Sequence, residues 1–157
     1  MDKLWAPWRI KYVQSKREAG CLFCKIHKQK KDSNNYIALR SSTCFVVLNR
    51  FPYNNGHLLI TPYRHISEPD KLNDEEVLDM HRVTLKMKEA IQKILRPDGF
   101  NTGLNLGRAA GAGITEHIHL HLVPRWIGDT NFMPVLSETK IISESLKGLY
   151  RKLKRIA

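Results

Sequence analysis

Three histidines alternate with aliphatic residues in the segment His117-Ile118-His119-Leu120-His121-Leu122. Successive side chains of a β-strand point to opposite faces, so a strand here predicts all three imidazole rings on one face and the aliphatic side chains on the other. Imidazole can serve as a nucleophile, an acid, a base or a metal ligand near neutral pH. Because unpaired buried polar groups are costly, we expect this face to meet a metal, a ligand or a hydrogen-bond network.

A loop of small residues, Gly107-Arg108-Ala109-Ala110-Gly111-Ala112-Gly113, comes just before the histidines. Glycines let backbone N–H groups approach a ligand closely, and successive N–H groups can form an anion-binding concavity. By itself such a loop is more often a flexible connector, and the Gly-Lys-Ser/Thr of a P-loop does not follow it. Its position directly before three histidines favours a phosphate cradle.

Cys21-x-x-Cys24 is a third group that could do chemistry. A thioredoxin-type redox pair is disfavoured, because we expect the pair to precede a hairpin, with a basic loop over Lys25 to Lys31, rather than to open a helix in a βαβ unit. A closed tetrahedral zinc site would need two further N or S ligands. Two reduced, partly buried thiols are the alternative, and Cys44 is expected in the core.

The elements that must position these groups are typical of an α+β domain with an antiparallel sheet of about five strands. Asn73 and Glu76 resemble a capping box that opens a long helix, which Arg96-Pro97-Asp98-Gly99 ends. A final helix is predicted from about Glu138. The predicted strands cover 36–40, 43–49, 57–61, 100–106 and the histidine segment. The core-facing stripe of the long helix is predicted to comprise Val77, Met80, Thr84, Met87, Ile91 and Ile94.

The length of 157 residues predicts one domain over 21–157, preceded by an arm over 1–20. No stretch approaches the roughly 20 apolar residues of a membrane span. The N-terminus also lacks the apolar core of a signal peptide, so we expect a cytoplasmic protein that does not contact a membrane. Three cysteines in that reducing compartment do not suggest a disulfide framework.

Lys and Arg outnumber Asp and Glu by 26 to 15, a formal net charge of +11. This excess favours anionic partners, either nucleotides or nucleic acid. The basic runs Lys25 to Lys31 and Lys147 to Arg155 are interpreted as solvated faces. Charge alone suggests nucleic acid, and no recognised motif supports it.

The segment His117 to Val123 resembles the signature of the histidine triad (HIT) family, His-φ-His-φ-His-φ-φ, with φ hydrophobic. Asn49 to His65 is similar to the family's ribose-binding segment and central strand. Leu4 to Arg9 and Pro124 to Pro134 resemble the bacterial diadenosine tetraphosphate (Ap4A) phosphorylase-like subgroup. The resemblance implies a HIT-like fold, with a five-stranded antiparallel sheet, a long central helix and a C-terminal helix, and a homodimer whose two sheets join.

The resemblance also implies catalytic roles. His119 would attack an α-phosphorus and form a nucleotidyl-histidine intermediate. His121 would hydrogen-bond the phosphate, and Asn105 would lie near the phosphates or the leaving group. His57 would stand behind the triad and fix a tautomer. In this sequence the loop is one residue longer than in close relatives, and Ile114-Thr115 stands where a Gln-Ser or Gln-Thr pair is usual.

Binding roles follow from the same resemblance. Asn49 would hold a ribose, and Gly111, Gly113 and Thr115 would surround the phosphates. A divalent metal on the substrate phosphates is compatible with this arrangement. Some relatives bind a structural zinc, and the residues at the corresponding positions here are Cys21, Cys24, His65 and His117.

The implied substrate is Ap4A or a related adenine dinucleotide. Inorganic phosphate would resolve the intermediate to give ADP and ATP as products, whereas water would release AMP. A HINT-like purine nucleoside phosphoramidase is an alternative that Asn49-Arg50-x-Pro and Pro124-Arg125-Trp126-x-Gly128-Asp129 disfavour. A non-catalytic nucleotide-binding regulatory protein is another, which the intact triad disfavours.

Overall fold

A computed structural model describes residues 20–129 and 142–156, so the predicted arm lies outside the described residues except for Gly20. The helices and strands, numbered along the chain, are α1 (Leu22–Lys28), α2 (Asp32–Asn35), β1 (Ile37–Arg40), β2 (Cys44–Leu48), β3 (Leu58–Pro62), α3 (Asp74–Leu95), β4 (Gly99–Leu104), β5 (Leu120–Arg125) and α4 (Leu146–Lys154). The five strands form one sheet in the order β1-β2-β3-β5-β4, and every neighbouring pair is antiparallel. The α+β prediction is confirmed.

The two faces of the sheet pack against different helices, as the alternation of strand side chains requires. Leu58 and Ile60 of β3 point towards α3, whereas Leu59 between them points towards α1. The α3 side holds the main core, which includes Ala38, Cys44, Val46, Leu48, Met80, Met87, Ile91, Leu122, Leu149 and Leu153. The α1 side holds a smaller core of Phe23, Ile26, Ile37, Phe45, Val47 and Leu59. Cys44 is buried, as predicted.

The long helix α3 begins at the predicted capping box. The Asn73 side chain accepts a hydrogen bond from the Glu76 N–H (2.9 Å), and the Glu76 carboxylate accepts one from the Asn73 N–H (3.0 Å). The predicted stripe is wrong at Val77, which is 49% exposed. Glu76 is buried in its place because Arg64 pairs with both of its carboxylate oxygens, and Val83 and Ala90 complete the buried face.

Two other expectations about helices are wrong. The stretch after Cys21 is the helix α1 rather than a basic loop before a hairpin, because Phe23 and Ile26, three residues apart, give it an apolar side that packs on the sheet. The C-terminal helix begins at Leu146 rather than near Glu138, since Ser145 accepts a hydrogen bond from the Gly148 N–H and caps it there. Residues 130–141 lie outside the described residues.

No described helix is long and apolar enough to cross a membrane. Of the described helices, α1, α3 and α4 pack on the two faces of the sheet.

Asp79 ties the turn between β1 and β2 to α3. Its carboxylate accepts hydrogen bonds from the Ser41 hydroxyl (2.6 Å) and from both the N–H and the hydroxyl of Thr43 (2.8 Å each). We expect Asp79→Ala to lower the free energy of unfolding by about 2–4 kcal/mol, because these donors lose a charged acceptor. Urea denaturation measures the change. Glu89→Ala, on the exposed side of the same helix, is the control and should stay within about 0.5 kcal/mol of the wild type.

Candidate active site and metal centre

The three histidines lie on the α1 side of the sheet, but only His121 belongs to a paired strand. β5 begins at Leu120, opposite Ile60, so the prediction of a strand through all three histidines is wrong at its start. β3 ends at Pro62, and the chain at Ile118 instead bonds to the carbonyl of Ile66. The alternation nevertheless holds, because Ile118 and Leu122 are buried and the ring of Phe23 on α1 contacts both His117 and His119.

His119 is held as the tautomer that a nucleophile needs. Its Nδ1–H donates to the carbonyl oxygen of His117 at 2.9 Å, so a neutral ring carries its lone pair on Nε2. Burial lowers the pKa of His119, although the bond to the carbonyl opposes this effect. The ring is 7% exposed and lies 5.0 Å, between centroids, from the ring of His121.

His57 fixes the tautomer of His121. The N–H of Tyr53 and the side-chain amide of Asn49 both donate to Nδ1 of His57, at 3.0 and 3.2 Å. The proton of neutral His57 therefore lies on Nε2, which donates to Nδ1 of His121 at 2.9 Å. His121 in turn carries its proton on Nε2, and this buried atom has no hydrogen-bond partner among the described residues. An unsatisfied buried donor on the ring next to His119 is a group that a bound ligand could satisfy.

The burial of these histidines predicts a loss of stability in acid. Burial, followed by neighbouring histidine charges, lowers the pKa of His57 to about 3 and that of His121 to about 4. Unfolded histidine titrates near pH 6.5, so the unfolded chain binds more protons as the pH falls below that value. The free energy of unfolding should be largest above pH 6.5 and should fall towards pH 4 by up to about 1.4 kcal/mol per pH unit for each histidine.

Urea denaturation across this pH range measures the slope, and the comparison of variants assigns it. His57→Gln removes one of the titrating rings and should make the pH dependence shallower. His81→Ala, which changes an exposed histidine on α3, should leave it unchanged. Equal slopes in the wild type and His57→Gln would contradict the assignment to His57.

Two of the other predicted site residues, Asn49 and Asn105, are linked to these rings through His57 and Tyr53. Asn49 also accepts a hydrogen bond from the N–H of Phe51 at 2.9 Å. Asn105 follows β4 and donates to the Tyr53 hydroxyl at 3.2 Å. Gly111, with φ +88°, lies near the Asn105 amide, since a Cβ built on it would be in ordinary contact with that amide at 3.8 Å. Gly113 and Thr115 are exposed in the segment that leads to His117.

The four predicted metal ligands meet at one point. Nδ1 of His117 lies 3.2 Å from Sγ of Cys21 and 3.6 Å from Sγ of Cys24, and Nδ1 of His65 lies 3.4 Å from Sγ of Cys24. All four ligand atoms lie within 4.8 Å of one another. Zn–S bonds of about 2.3 Å and Zn–N bonds of about 2.0–2.1 Å in a tetrahedron place S and N about 3.5 Å apart. The residues therefore fit zinc.

The second ring nitrogen of His117 has the partner that a metal-bound histidine requires. Its Nε2–H donates to the carbonyl oxygen of Pro62 at 3.0 Å, which leaves the lone pair of a neutral ring on Nδ1, facing Cys21 and Cys24. The ring of His117 thus faces the candidate metal site, which we define as Cys21, Cys24, His65 and His117. The backbone carbonyl of His117 orients His119.

Sequence reasoning missed two residues that contact the site. Phe23 lies between the two cysteines and packs on His117 and His119 at 5.3 and 5.1 Å. Tyr53 stacks on His121 with ring centroids 5.5 Å apart and an interplanar angle of 7°. The place of Phe23 between the two cysteines in the sequence could have indicated that it lies near the site, whereas a tyrosine in a turn carries no such signal.

Comparisons with known proteins agree with this geometry. The HIT domain family model matches residues 30–126. A Mycobacterium tuberculosis protein named AP-4-A phosphorylase is 38% identical over 162 residues, which cover 98% of this chain and 83% of that protein. The adenosine 5'-monophosphoramidase of Schizosaccharomyces pombe is 30% identical over 106 residues, 68% of this chain and 74% of that protein.

A solved structure agrees as well. The crystal structure of a Zn-bound histidine triad family protein from Mycobacterium smegmatis matches with a TM-score of 0.70 and 28% identity, and the match covers 87% of this chain and 92% of that one. The family model matches more than half of this chain, and the matched residues include all three histidines of the triad. The chain belongs to the HIT domain family.

Proposed function

We propose that this protein is an enzyme that cleaves diadenosine polyphosphates, with Ap4A as substrate and inorganic phosphate as acceptor. The observation that carries the proposal is the pairing of tautomers on two adjacent rings. His119 carries a lone pair on Nε2, and the ring of His121, 5.0 Å away between centroids, carries an Nε2–H that has no partner among the described residues. This pair offers one nucleophile and one donor to a phosphate group. The similarity to the mycobacterial AP-4-A phosphorylase supports the choice of substrate.

The reaction proceeds in two displacements. Nε2 of His119 attacks the α-phosphorus of Ap4A, the bond from that phosphorus to the bridging oxygen breaks, and ATP leaves. The Nε2–H of His121 donates to a phosphate oxygen as negative charge builds there. Inorganic phosphate then attacks the adenylyl-histidine, which releases ADP and regenerates neutral His119.

The substrate-binding groups follow from their places around the rings. Asn49 binds a ribose, and its contact with His57 couples that position to the tautomer of His121. Gly111, Gly113 and Thr115 offer backbone and hydroxyl groups to the phosphates, and Asn105 lies on the same side, next to Gly111. A divalent cation on the substrate phosphates is compatible with this proposal.

The metal centre is proposed to hold one structural Zn²⁺ through Cys21, Cys24, His65 and His117. Four protein ligands leave no open position, which is the arrangement of a structural site. Bound there, zinc would join α1 to the segment that carries His117. The Zn-bound mycobacterial neighbour supports this choice of metal.

A homodimer is proposed through β4, which forms one edge of the described sheet and whose residues Asn101, Thr102 and Gly103 are exposed. Pairing of two such edges would join the sheets of two copies. Light scattering of the purified protein measures its molar mass and therefore tests whether it is a dimer. The cytoplasmic location stays a prediction.

The product pattern with and without phosphate tests the function. The purified protein is incubated with Ap4A, and the released nucleotides are separated by chromatography. We expect ADP and ATP in equimolar amounts only when inorganic phosphate is present. AMP and ATP in both reactions would show hydrolysis instead, and no cleavage of Ap4A in either would overturn the proposal.

The similarity to the fission-yeast monophosphoramidase makes phosphoramidate cleavage the second candidate function. In that reaction the same His119 would displace an amine from adenosine 5'-phosphoramidate. Comparison of kcat/KM for Ap4A and for the phosphoramidate separates the two candidates. A higher value for the phosphoramidate would favour the second.

A further inference from the structure

Tyr53 is in contact with three of the residues that line the candidate active site. Its ring stacks on His121 and lies 4.6 Å, between centroids, from the ring of His57. Its N–H donates to His57 Nδ1, and its hydroxyl accepts a hydrogen bond from Asn105 at 3.2 Å. The Tyr53 side chain therefore contacts both the ring of His121 and the amide of Asn105.

The turn that carries Tyr53 is anchored on both sides. Asn54, the next residue, is buried and donates to the carbonyl of Pro124 (3.0 Å) at the end of β5 and to the carboxylate of Asp129. Gly56 packs so tightly that a Cβ there would lie 2.7 Å from Leu95 and 2.9 Å from Pro124. The backbone of the turn that carries Tyr53 is therefore held against β5 and the end of α3.

The hydroxyl oxygen of Tyr53 accepts the hydrogen bond from the Asn105 amide. The hydroxyl hydrogen has no acceptor among the described residues, so it can be donated to another group. The residue is also 47% exposed, although its ring packs on two buried histidines. A phenol that is stacked on His121 and hydrogen-bonded to Asn105 is suited to donate to an anionic oxygen of a ligand at this site.

We propose that Tyr53 contacts the substrate and donates a hydrogen bond from its hydroxyl to the phosphate chain that leaves. This inference rests on the proposed function and adds a residue to the same site. The chain beyond the α-phosphorus gains negative charge as the phosphorus–oxygen bond breaks, and a donor positioned before the reaction stabilises that charge without reorganisation. Asn105 then acts through Tyr53: it orients the hydroxyl by donating to its oxygen.

Tyr53→Phe tests the proposal, because phenylalanine keeps the stack on His121 and removes only the hydroxyl. We expect kcat/KM for Ap4A to fall about 10- to 100-fold. For adenosine 5'-phosphoramidate, whose leaving group is an amine without phosphates, we expect a change of less than about threefold. Tyr150→Phe removes a hydroxyl from a tyrosine on α4 that packs on Tyr36 and should leave both activities unchanged.

Two other outcomes of this comparison overturn the proposal. Equal losses on both substrates would show that the hydroxyl acts on the shared chemistry of His119 and His121 rather than on the leaving chain. No loss on Ap4A would show that it makes no contact. A wild type that does not cleave Ap4A would instead refute the proposed function.

Binding keeps the proposal testable without turnover. In a His119→Ala background, we expect Tyr53→Phe to raise the Kd for Ap4A about 5- to 10-fold and to leave the Kd for AMP unchanged, as measured by calorimetry. Equal Kd values for Ap4A with and without the hydroxyl would overturn it.

Discussion

His119→Ala is expected to reduce the turnover of Ap4A at least about 1,000-fold, because it removes the atom that forms the covalent bond to phosphorus in the proposed mechanism. The variant should also fail to take up a labelled adenylyl group from Ap4A in the absence of phosphate. Chromatography of the released nucleotides and counting of label on the denatured protein measure the two effects. Loss of both together would tie the chemistry to one ring.

Two further variants separate loss of chemistry from loss of fold. His119→Gln retains most of the volume of a buried side chain and should be as inactive as the alanine variant, with a Tm close to that of the wild type. His81→Ala changes an exposed histidine on α3 and should retain full activity. Turnover by His119→Gln above about a tenth of the wild-type rate would exclude the covalent mechanism.

The placement of the triad could be predicted from sequence, although the local structure could not. Alternation put three rings on one face, and His117, His119 and His121 do lie on the α1 side. A strand needs a neighbouring strand for its backbone hydrogen bonds, however, and the pairing of β3 with β5 extends only to Ile60 and Leu120. The length of a strand depends on its partner, which periodicity within one segment does not contain.

Short helices were the least predictable part of the fold. The basic residues from Lys25 onwards suggested a solvated loop, yet two apolar side chains, Phe23 and Ile26, are enough to seat α1 on the sheet. A helix of seven residues is not stable by itself, so its formation depends on tertiary contacts that the local sequence does not report. The capping box at Asn73 and Glu76, in contrast, was read correctly because all of its partners lie within four residues.

The electronic state of the site was beyond sequence reasoning. The tautomer of His121 depends on a proton position in His57, which depends in turn on the backbone N–H of Tyr53. That N–H points at His57 only because of the conformation of the turn between β2 and β3. Resemblance could name the rings, but the assignment of a donor or an acceptor to each nitrogen needed the geometry.

α1 connects the proposed metal site to His119 by packing. Cys21 directly precedes this helix, Cys24 and Phe23 lie in its first turn, and the Phe23 ring lies against His119. His117 makes the second link, since its ring faces the two cysteines and its carbonyl holds the His119 Nδ1–H. A zinc ion at these ligands would therefore hold the Phe23 ring against His119. It would also hold the His117 carbonyl, whose hydrogen bond sets the tautomer of His119.

Removal of one of the four proposed zinc ligands is consequently expected to lower both the zinc content and the stability of the protein. His65→Ala should lower the bound zinc from one per chain to near zero, because three protein ligands remain of the four that close the site. A metal bound at a free concentration 1,000 times its Kd stabilises the folded state by about 4 kcal/mol, and this contribution would be lost. Elemental analysis measures the zinc, and urea denaturation measures the stability.

His65 is the ligand best suited to this test, since its side chain is exposed and its truncation leaves no cavity in the core. His81→Ala, which removes another exposed imidazole, should change neither zinc content nor stability and serves as the matched control. Addition of a chelator should destabilise the wild type and the control by the same amount, and should leave His65→Ala unaffected because its metal is already absent. Stoichiometric zinc in His65→Ala, or a wild type purified without zinc and unchanged in stability when zinc is added, would rule out the four-ligand site.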